Sequence, residues 1–360
     1  IADQKFMAIF SMLFGASTIL FINSVKKKEK SPLLLFYSRN FWLLMLGWIH
    51  STYLWYGDIL LFYALCAFIL FLFKNLSPKK KFILGCLIYL LPTFLNYATY
   101  EYVIDHLGQE EQDVIIKHWN PSNEILQQEI DAYRGSYKKQ VQHRAQMWSS
   151  NEYNEDNSSG GIGAGIIGLS LLIDLFCRSF GMMLIGMACF SWGVFSNTLT
   201  KTFYKKLVIY GFGIGLPLSM IGLFYTYLYD WDWKYIQFLG RSPNNIATPL
   251  IAFGYVGVIM IWIQEDKFKS LQEKLRAIGK TALTAYLIQT LISTFIFYGI
   301  GLGLFGYVNR LYQLVIMFFI WGVLLKLCPL WLSKYQFGPI EWIWRILTHM
   351  KMVNLLKQKN

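Results

Sequence analysis

Nine stretches of this chain are almost wholly apolar: 6–23, 40–56, 59–73, 82–99, 166–190, 207–229, 245–263, 278–298 and 311–328. Each approaches or exceeds the ~20 residues that cross a bilayer core as a helix. A soluble fold has no use for so many, because a helix that is apolar all round has no face to show to water. The pattern therefore predicts an all-α, polytopic transmembrane bundle of about nine spans. Lysine clusters punctuate every second junction, after the first, third, fifth, seventh and ninth runs, as in Lys26–Lys28, Lys79–Lys81 and Lys267–Lys280. The positive-inside rule makes those junctions cytoplasmic, with the C-terminus inside and Ile1 outside. A chain opening on Ile at the outer face implies one further span preceding it.

One stretch breaks the pattern. Residues 100–165 are polar, and their aliphatics Ile125, Leu126 and Ile130 recur at helical spacing, which predicts short amphipathic helices forming an outer cap. Residues 151–165 (NEYNEDNSSGGIGAG) read as a flexible lead into the next span. The expected organisation is then N-terminal transmembrane helices over 1–99, the extracytoplasmic cap over 100–165, C-terminal transmembrane helices over 166–329 and a cytoplasmic interfacial tail over 330–360. Residues 265–277 read as a charged, helical cytoplasmic connector.

Composition agrees with the pattern: 55% hydrophobic, 18% aromatic and only 15% charged. The net charge of +12 reports topology and anionic lipid headgroups, and no nucleic-acid motif accompanies it. The five cysteines lie in or beside apolar runs, with neither metal spacing nor a disulfide framework. The three histidines of the polar stretch, His106, His118 and His143, also lack ligand spacing and read as solvated side chains.

Ionisable groups within apolar runs are the candidates for chemistry, because the bilayer makes them expensive. His50 lies eleven residues past Arg39, about 16 Å along a helix. Asp58 follows just after Trp55, Tyr56 and Gly57. A carboxylate orienting an imidazole is a general-base arrangement. Alternatively His50 bonds a neighbouring helix and Asp58 caps the next one. Asp174 and Arg178, four apart, share a helix face and form either an intrahelical ion pair or a seat for a phosphate or carboxylate. Asn96, Tyr286 and Gln289 read as interhelical hydrogen-bonders. Glu341 and Arg345, also four apart, read as a structural tie of a helix that Pro339 begins.

Several segments together resemble the YeiB-type membrane family, domain of unknown function 418. They are LFGAS at 13–17, Arg39 with GWIH and WYGDIL through residue 60, AYRG at 132–135, MMLIGMA at 182–188 and FGYVG at 253–257. GKTALTAYLIQT at 279–290, FYGIGLGLFG at 297–306 and FGPIEWIWRILTH at 337–349 complete the series. That family is similar to the transmembrane acyltransferase superfamily, whose members open with a further span carrying an Asp…Arg-Gly motif.

The resemblance implies transfer of an acyl group from cytoplasmic acyl-CoA, in the first place acetyl-CoA, to an envelope acceptor that is a sugar, polymer or lipid. It needs no metal. It also implies a bacterial cell-membrane location. Under this reading His50 is the base and Asp58 its orienter. Arg39 holds CoA phosphates, Arg178 and Asp174 line the acyl path, and Trp55, Tyr56 and Gln289 contact substrate. Two other readings stay open: a carrier or channel for a small solute, and an accessory subunit of an envelope or antibiotic-response system docking through the cap. A homo-oligomer is compatible with each.

Overall fold

The computed structural model describes residues 4–27, 31–106, 119–148 and 160–357, with 108, 109, 112, 113 and 116 between them. Ile1, Lys28, Lys30, His118 and the stretch 151–159 lie outside the described residues. Among the described residues, thirteen helices of eleven residues or more follow in order: α1 Lys5–Lys26, α2 Pro32–Tyr53, α3 Leu60–Leu70, α4 Pro78–His106, α5 Asn123–Arg134, α6 Tyr137–Trp148 and α7 Gly160–Ser191. They continue with α8 Lys201–Leu228, α9 Ser242–Gln264, α10 Lys269–Lys280, α11 Ala282–Phe297, α12 Arg310–Lys334 and α13 Pro339–His349. Among the described residues there is no strand, only one isolated bridge between Tyr335 and Leu356.

Six of these helices have the length and apolar composition of a membrane span: α1, Pro78–Tyr102 of α4, Gly168–Ser191 of α7, α8, α9 and α12. The pair α10 and α11 passes the same test together but is bent by 87°. This is an all-helical protein of membrane type. The apolar run at 59–73 forms only a short helix closed by a turn of 3-10 helix at Phe71–Phe73. The run at 40–56 lies in α2 as far as Tyr53 and ends in the turn after it; α2 also carries Arg39, Asn40 and His50.

The expected span at 278–298 begins instead at a break. Thr281 turns its hydroxyl onto the Ala277 carbonyl at 3.0 Å, and α11 starts one residue later. Before the break, α10 is amphipathic, as its charged composition predicts. In the polar stretch, α5 is amphipathic and begins at Ser122, whose side chain accepts from Ile125 N.

The helices group into two compact units, each made of interleaved parts of the chain. The first contains Ile1–Pro32, Cys66–Asn120 and Asp156–Lys267, and the second Leu33–Leu65, Pro121–Glu155 and Phe268–Asn360.

In the first unit α1 packs on α7 at glycines. A Cβ on Gly15 would stand 1.9 Å from the Met183 carbonyl oxygen, and one on Gly186 would stand 2.0 Å from that of Met12. Small residues allow this approach, which in a membrane replaces the hydrophobic drive that water supplies elsewhere. The core here is Ala8, Met12, Tyr89, Met182, Ile185, Cys189, Ala252 and Val256.

In the second unit α10, α11 and α12 enclose Ala277, Ala285, Ile320, Leu324 and Cys328. The polar stretch is tied to the end of α2 by Arg144 of α6. Its Nε and Nη2 donate to the carbonyls of Thr52 and Tyr53, both at 3.0 Å. Those carbonyls lack helical partners, and a cation suits that end of the helix dipole.

Candidate functional site

His50 sits near the C-terminal end of α2 and is 1% exposed. The chain turns immediately after it, and Gly47 lets α3 come alongside, since a Cβ there would lie 2.3 Å from Leu61 N. That turn brings Asp58 back to the ring, with Asp58 Oδ1 2.8 Å from His50 Nδ1. The other carboxylate oxygen accepts from Leu61 N at 2.7 Å, so one side chain caps α3 and faces the imidazole together. Tyr286 of α11 donates its hydroxyl to Asp58 Oδ1 at 3.1 Å. Asp58 is wholly enclosed, with 0% of its side chain exposed.

The opposite ring nitrogen, Nε2, lies 3.1 Å from Thr290 Oγ1. The result is an Asp58–His50–Thr290 line, a carboxylate close to one ring nitrogen and a hydroxyl at the other. This arrangement activates a hydroxyl or passes a proton. Nδ1 and Asp58 Oδ1 approach without the alignment of a hydrogen bond; a proton on Nδ1, facing the carboxylate, leaves Nε2 of the neutral ring to accept from Thr290. Thr290 Oγ1 also lies 3.2 Å from the Tyr286 carbonyl. Its hydrogen can therefore turn to that carbonyl when Nε2 takes up a proton, and the charged ring keeps a partner at both nitrogens.

Thr290 and Tyr286 also line a cavity of about 940 Å3, with Trp55, Tyr56, Gln289 and Ser293 beside them. Helix α5 supplies a further wall through Leu126, Glu129 and Ile130. The volume matches that of a small-molecule site, and mostly apolar walls with a few convergent polar groups are the usual form. Near its edge Tyr133, fully buried, packs on Tyr298 and Phe305 at 4.9 and 4.8 Å between ring centres. Burial foremost pushes the Tyr133 phenol above its ordinary value.

The other expected residues of this unit lie around α13. The Arg39 guanidinium lies 4.7 Å over the Trp344 ring, and Trp344 Nε1 donates to the Arg39 carbonyl at 2.8 Å. Glu341 and Arg345 do not pair with each other. Glu341 accepts from Thr284 N at 3.0 Å and from the Thr284 hydroxyl, closing the N-terminus of α11. Arg345 lies 4.2 Å over the ring of Phe337. His143, expected in solvent, is half-buried, edge-on to Tyr133 at 5.3 Å, with Nε2 enclosed. His106 stacks on Tyr102 at 4.6 Å.

Asp174 and Arg178 belong to the first unit. They form the i,i+4 ion pair at 2.5 Å, and Arg178 also donates to Gln4 Oε1 at 3.3 Å. Around them Lys5 donates to Asn244 Oδ1, Ser219 donates to the same oxygen at 2.8 Å, and Tyr89 donates to the Asn245 carbonyl at 2.8 Å. The cleft among Gln4, Ser11, Tyr89, Arg178 and Thr248 has a volume of about 10 Å3.

No group of three or more His, Cys, Asp or Glu among the described residues is arranged to hold a metal ion. Thr290, Glu129 and Arg144 escaped the sequence reading. Thr290 lies in the GKTALTAYLIQT segment, four residues past Tyr286, and that helical spacing is the one signal that links them.

Residues 189–351 match the family model described as "Protein of unknown function (DUF418)". YeiB of Escherichia coli (strain K12) is 29% identical over 97% of this chain and 82% of its own length. YxaH of Bacillus subtilis (strain 168) is 27% identical over 99% of this chain and 82% of its own. The chain is similar to the DUF418 family over residues 189–351 and to YeiB and YxaH along nearly its whole length. The match to YeiB and YxaH thus runs through both units, beyond the stretch that the family model covers. No solved structure matches it.

Proposed function

We propose that this protein is a bacterial cell-membrane acyltransferase, with nine membrane-embedded segments, a cytoplasmic C-terminus and α5–α6 as part of an outer cap. It takes an acyl group from cytoplasmic acyl-CoA, acetyl-CoA in the first place, to an envelope acceptor. The observation that carries this reading is the Asp58–His50–Thr290 line ending on the wall of a 940 Å3 cavity.

The acceptor's nucleophilic atom attacks the thioester carbonyl carbon, so a C–N or C–O bond forms as the C–S bond breaks. The acceptor's proton passes to Thr290 Oγ1 while the Thr290 proton moves to His50 Nε2. Asp58, held by Tyr286 and Leu61 N, balances the imidazolium charge. His50 then returns the proton to the departing thiolate, giving free CoA thiol. Trp55, Tyr56 and Gln289 contact the acceptor. Arg39 serves the CoA phosphates.

Proteoliposomes with labelled acetyl-CoA on the cytoplasmic side and acceptor on the other test this. Label reaching the acceptor with wild type and not with His50→Gln is the expected result. Transfer that survives His50→Gln removes the imidazole from the mechanism, and no transfer with any acyl-CoA removes the reading itself.

A further inference from the structure

The charge of the cavity wall narrows what the cavity holds. Among the described residues that line it there is no Lys, Arg or His, and Glu129 is the single charged one. Glu129 lines the cavity from α5 with no hydrogen-bond or ion-pair partner among the described residues. Six of the lining residues are aromatic: Trp55, Tyr56, Tyr286, Phe297, Tyr298 and Phe305. Each ring presents an electron-rich face rather than a charge.

Aromatic faces attract cations, and a carboxylate in a partly desolvated wall does so more strongly than in water. An anionic substrate would meet Glu129 with no cation on the described wall to offset it. We propose that this cavity binds an organic cation, an ammonium group joined to an apolar body, with Glu129 and the Trp55, Tyr56 and Tyr298 rings recognising the ammonium. The apolar remainder lies along Leu126, Ile130 and Leu304.

The inference deepens the acyl-transfer reading and rests on it only for the chemistry after binding. A bound primary ammonium first loses one proton through Thr290 to His50, which frees the nitrogen lone pair, and His50 hands that proton on to water. The nitrogen then attacks the thioester carbon, the C–S bond breaks, and a second N–H proton goes to the thiolate. The products are an amide, CoA thiol and one released proton.

The test uses the full chain in maltoside micelles, which carry no charge and no choline. Equilibrium dialysis measures binding of labelled benzyltrimethylammonium, benzyl alcohol and benzoate. The cation is expected to bind about tenfold or more tightly than the alcohol, a difference of about 1.4 kcal/mol, and benzoate more weakly than either. Glu129→Gln, conservative and on a cap helix, is expected to bring the cation down to the level of the alcohol while leaving alcohol binding and the melting temperature unchanged.

Equal binding of cation and alcohol, preference for benzoate, no binding at all, or a Glu129→Gln protein that keeps its cation preference would each overturn the proposal. The quaternary probe has no N–H and cannot be acylated, and His50→Gln is expected to bind it as wild type does. Wild-type protein that binds the cation but transfers no acyl group from any acyl-CoA therefore counts against the acyl-transfer reading alone. Failed cation binding with acyl transfer intact counts against this inference alone.

Discussion

Each of the two units buries a set of ionisable side chains among apolar helices, and the two sets differ in what surrounds them. In the second unit the carboxylate oxygens of Asp58 and the Nε2 of His50 have hydrogen-bond partners, His50 Nδ1 is buried 2.8 Å from Asp58 Oδ1 without the alignment of a hydrogen bond, and the line ends on a large cavity. In the first unit the groups around the Asp174–Arg178 pair are packed tightly. Arg178 Nε, Ser179 Oγ and both side-chain polar atoms of Asn245 are buried without a partner among the described residues. The cleft beside Arg178, about 10 Å3, is near the least that holds one water molecule. Burying a charge in a membrane is therefore not enough to mark a site. Free volume beside the buried polar groups is what separates a place for chemistry from a place that locks helices together.

The largest effect should come from cutting the line in the second unit. His50→Gln is expected to lower acyl transfer about 10²–10⁴-fold, the usual worth of a positioned base. Thr290→Val should fall nearly as far, and Thr290→Ser should keep most of the activity, because the hydroxyl rather than the methyl carries the proton. Initial rates of label transfer in proteoliposomes read both. If Thr290→Val is as active as Thr290→Ser, the proton does not pass through residue 290.

The same operation in the first unit should hit stability. Arg178→Leu leaves the Asp174 carboxylate without its cation and strips Gln4 of a donor. Removing one partner of a buried pair costs about 3–5 kcal/mol where the remaining charge stays buried. Asp174 is 20% exposed, so the lower end of that range is expected. Thermal unfolding in detergent measures the loss. Restoration of stability by the double change Asp174→Asn with Arg178→Leu would show that the leftover charge is the cause. A stable Arg178→Leu protein lacking activity would erase the contrast between the units.

Glu341 tests how the second unit keeps its line in register. Its carboxylate closes the N-terminus of α11 just past the 87° bend, and that helix carries Tyr286 and Thr290. Glu341→Gln keeps one acceptor for Thr284 N and loses the charge that suits a helix N-terminus, worth about 0.3–1 kcal/mol at exposed sites. A melting temperature lowered by a few degrees and a less than tenfold drop in rate are expected. A drop as large as that of His50→Gln would make Glu341 part of the reaction rather than a clamp on the helix.

How far these features could be read in advance depends on the range of the physics behind them. Hydropathy is local, so the apolar helices and the polar stretch were visible. So was the Asp174–Arg178 pair, which one helical turn brings together. Asp58 beside His50 was visible because only a short turn separates them. The meeting of His50 with Thr290 spans 240 positions and depends on how α2 and α11 pack, which no local pattern encodes. The same holds for Arg144, whose polar stretch gave no sign that it would bond the end of α2. The bend at Thr281 escaped for a different reason: composition is apolar on its C-terminal side and mixed before it, and the Glu341 carboxylate that holds α11's first turn comes from 57 residues away.

The smallest effect is expected where the first unit carries charge in the open. Glu265 follows α9, and Lys201 donates to one of its oxygens at 2.6 Å while Lys267 lies 3.1 Å from the other. The Lys201 and Lys267 hydrogen bonds hold its carboxyl below the ordinary value of 4.5. A carboxyl lowered by folding contributes stability above its unfolded value, and that contribution disappears as pH falls through the folded value. Solvent and salt screen an exposed group, so Glu265→Gln should shift the melting temperature by about a degree at pH 7 and less in high salt. The difference between variant and wild type should narrow from about pH 4.5 downward and vanish once the wild-type carboxyl is protonated. A difference that persists at the acid end, or that exceeds the effect of Arg178→Leu, would mean the exposed ion triad and not the buried pair holds the first unit together.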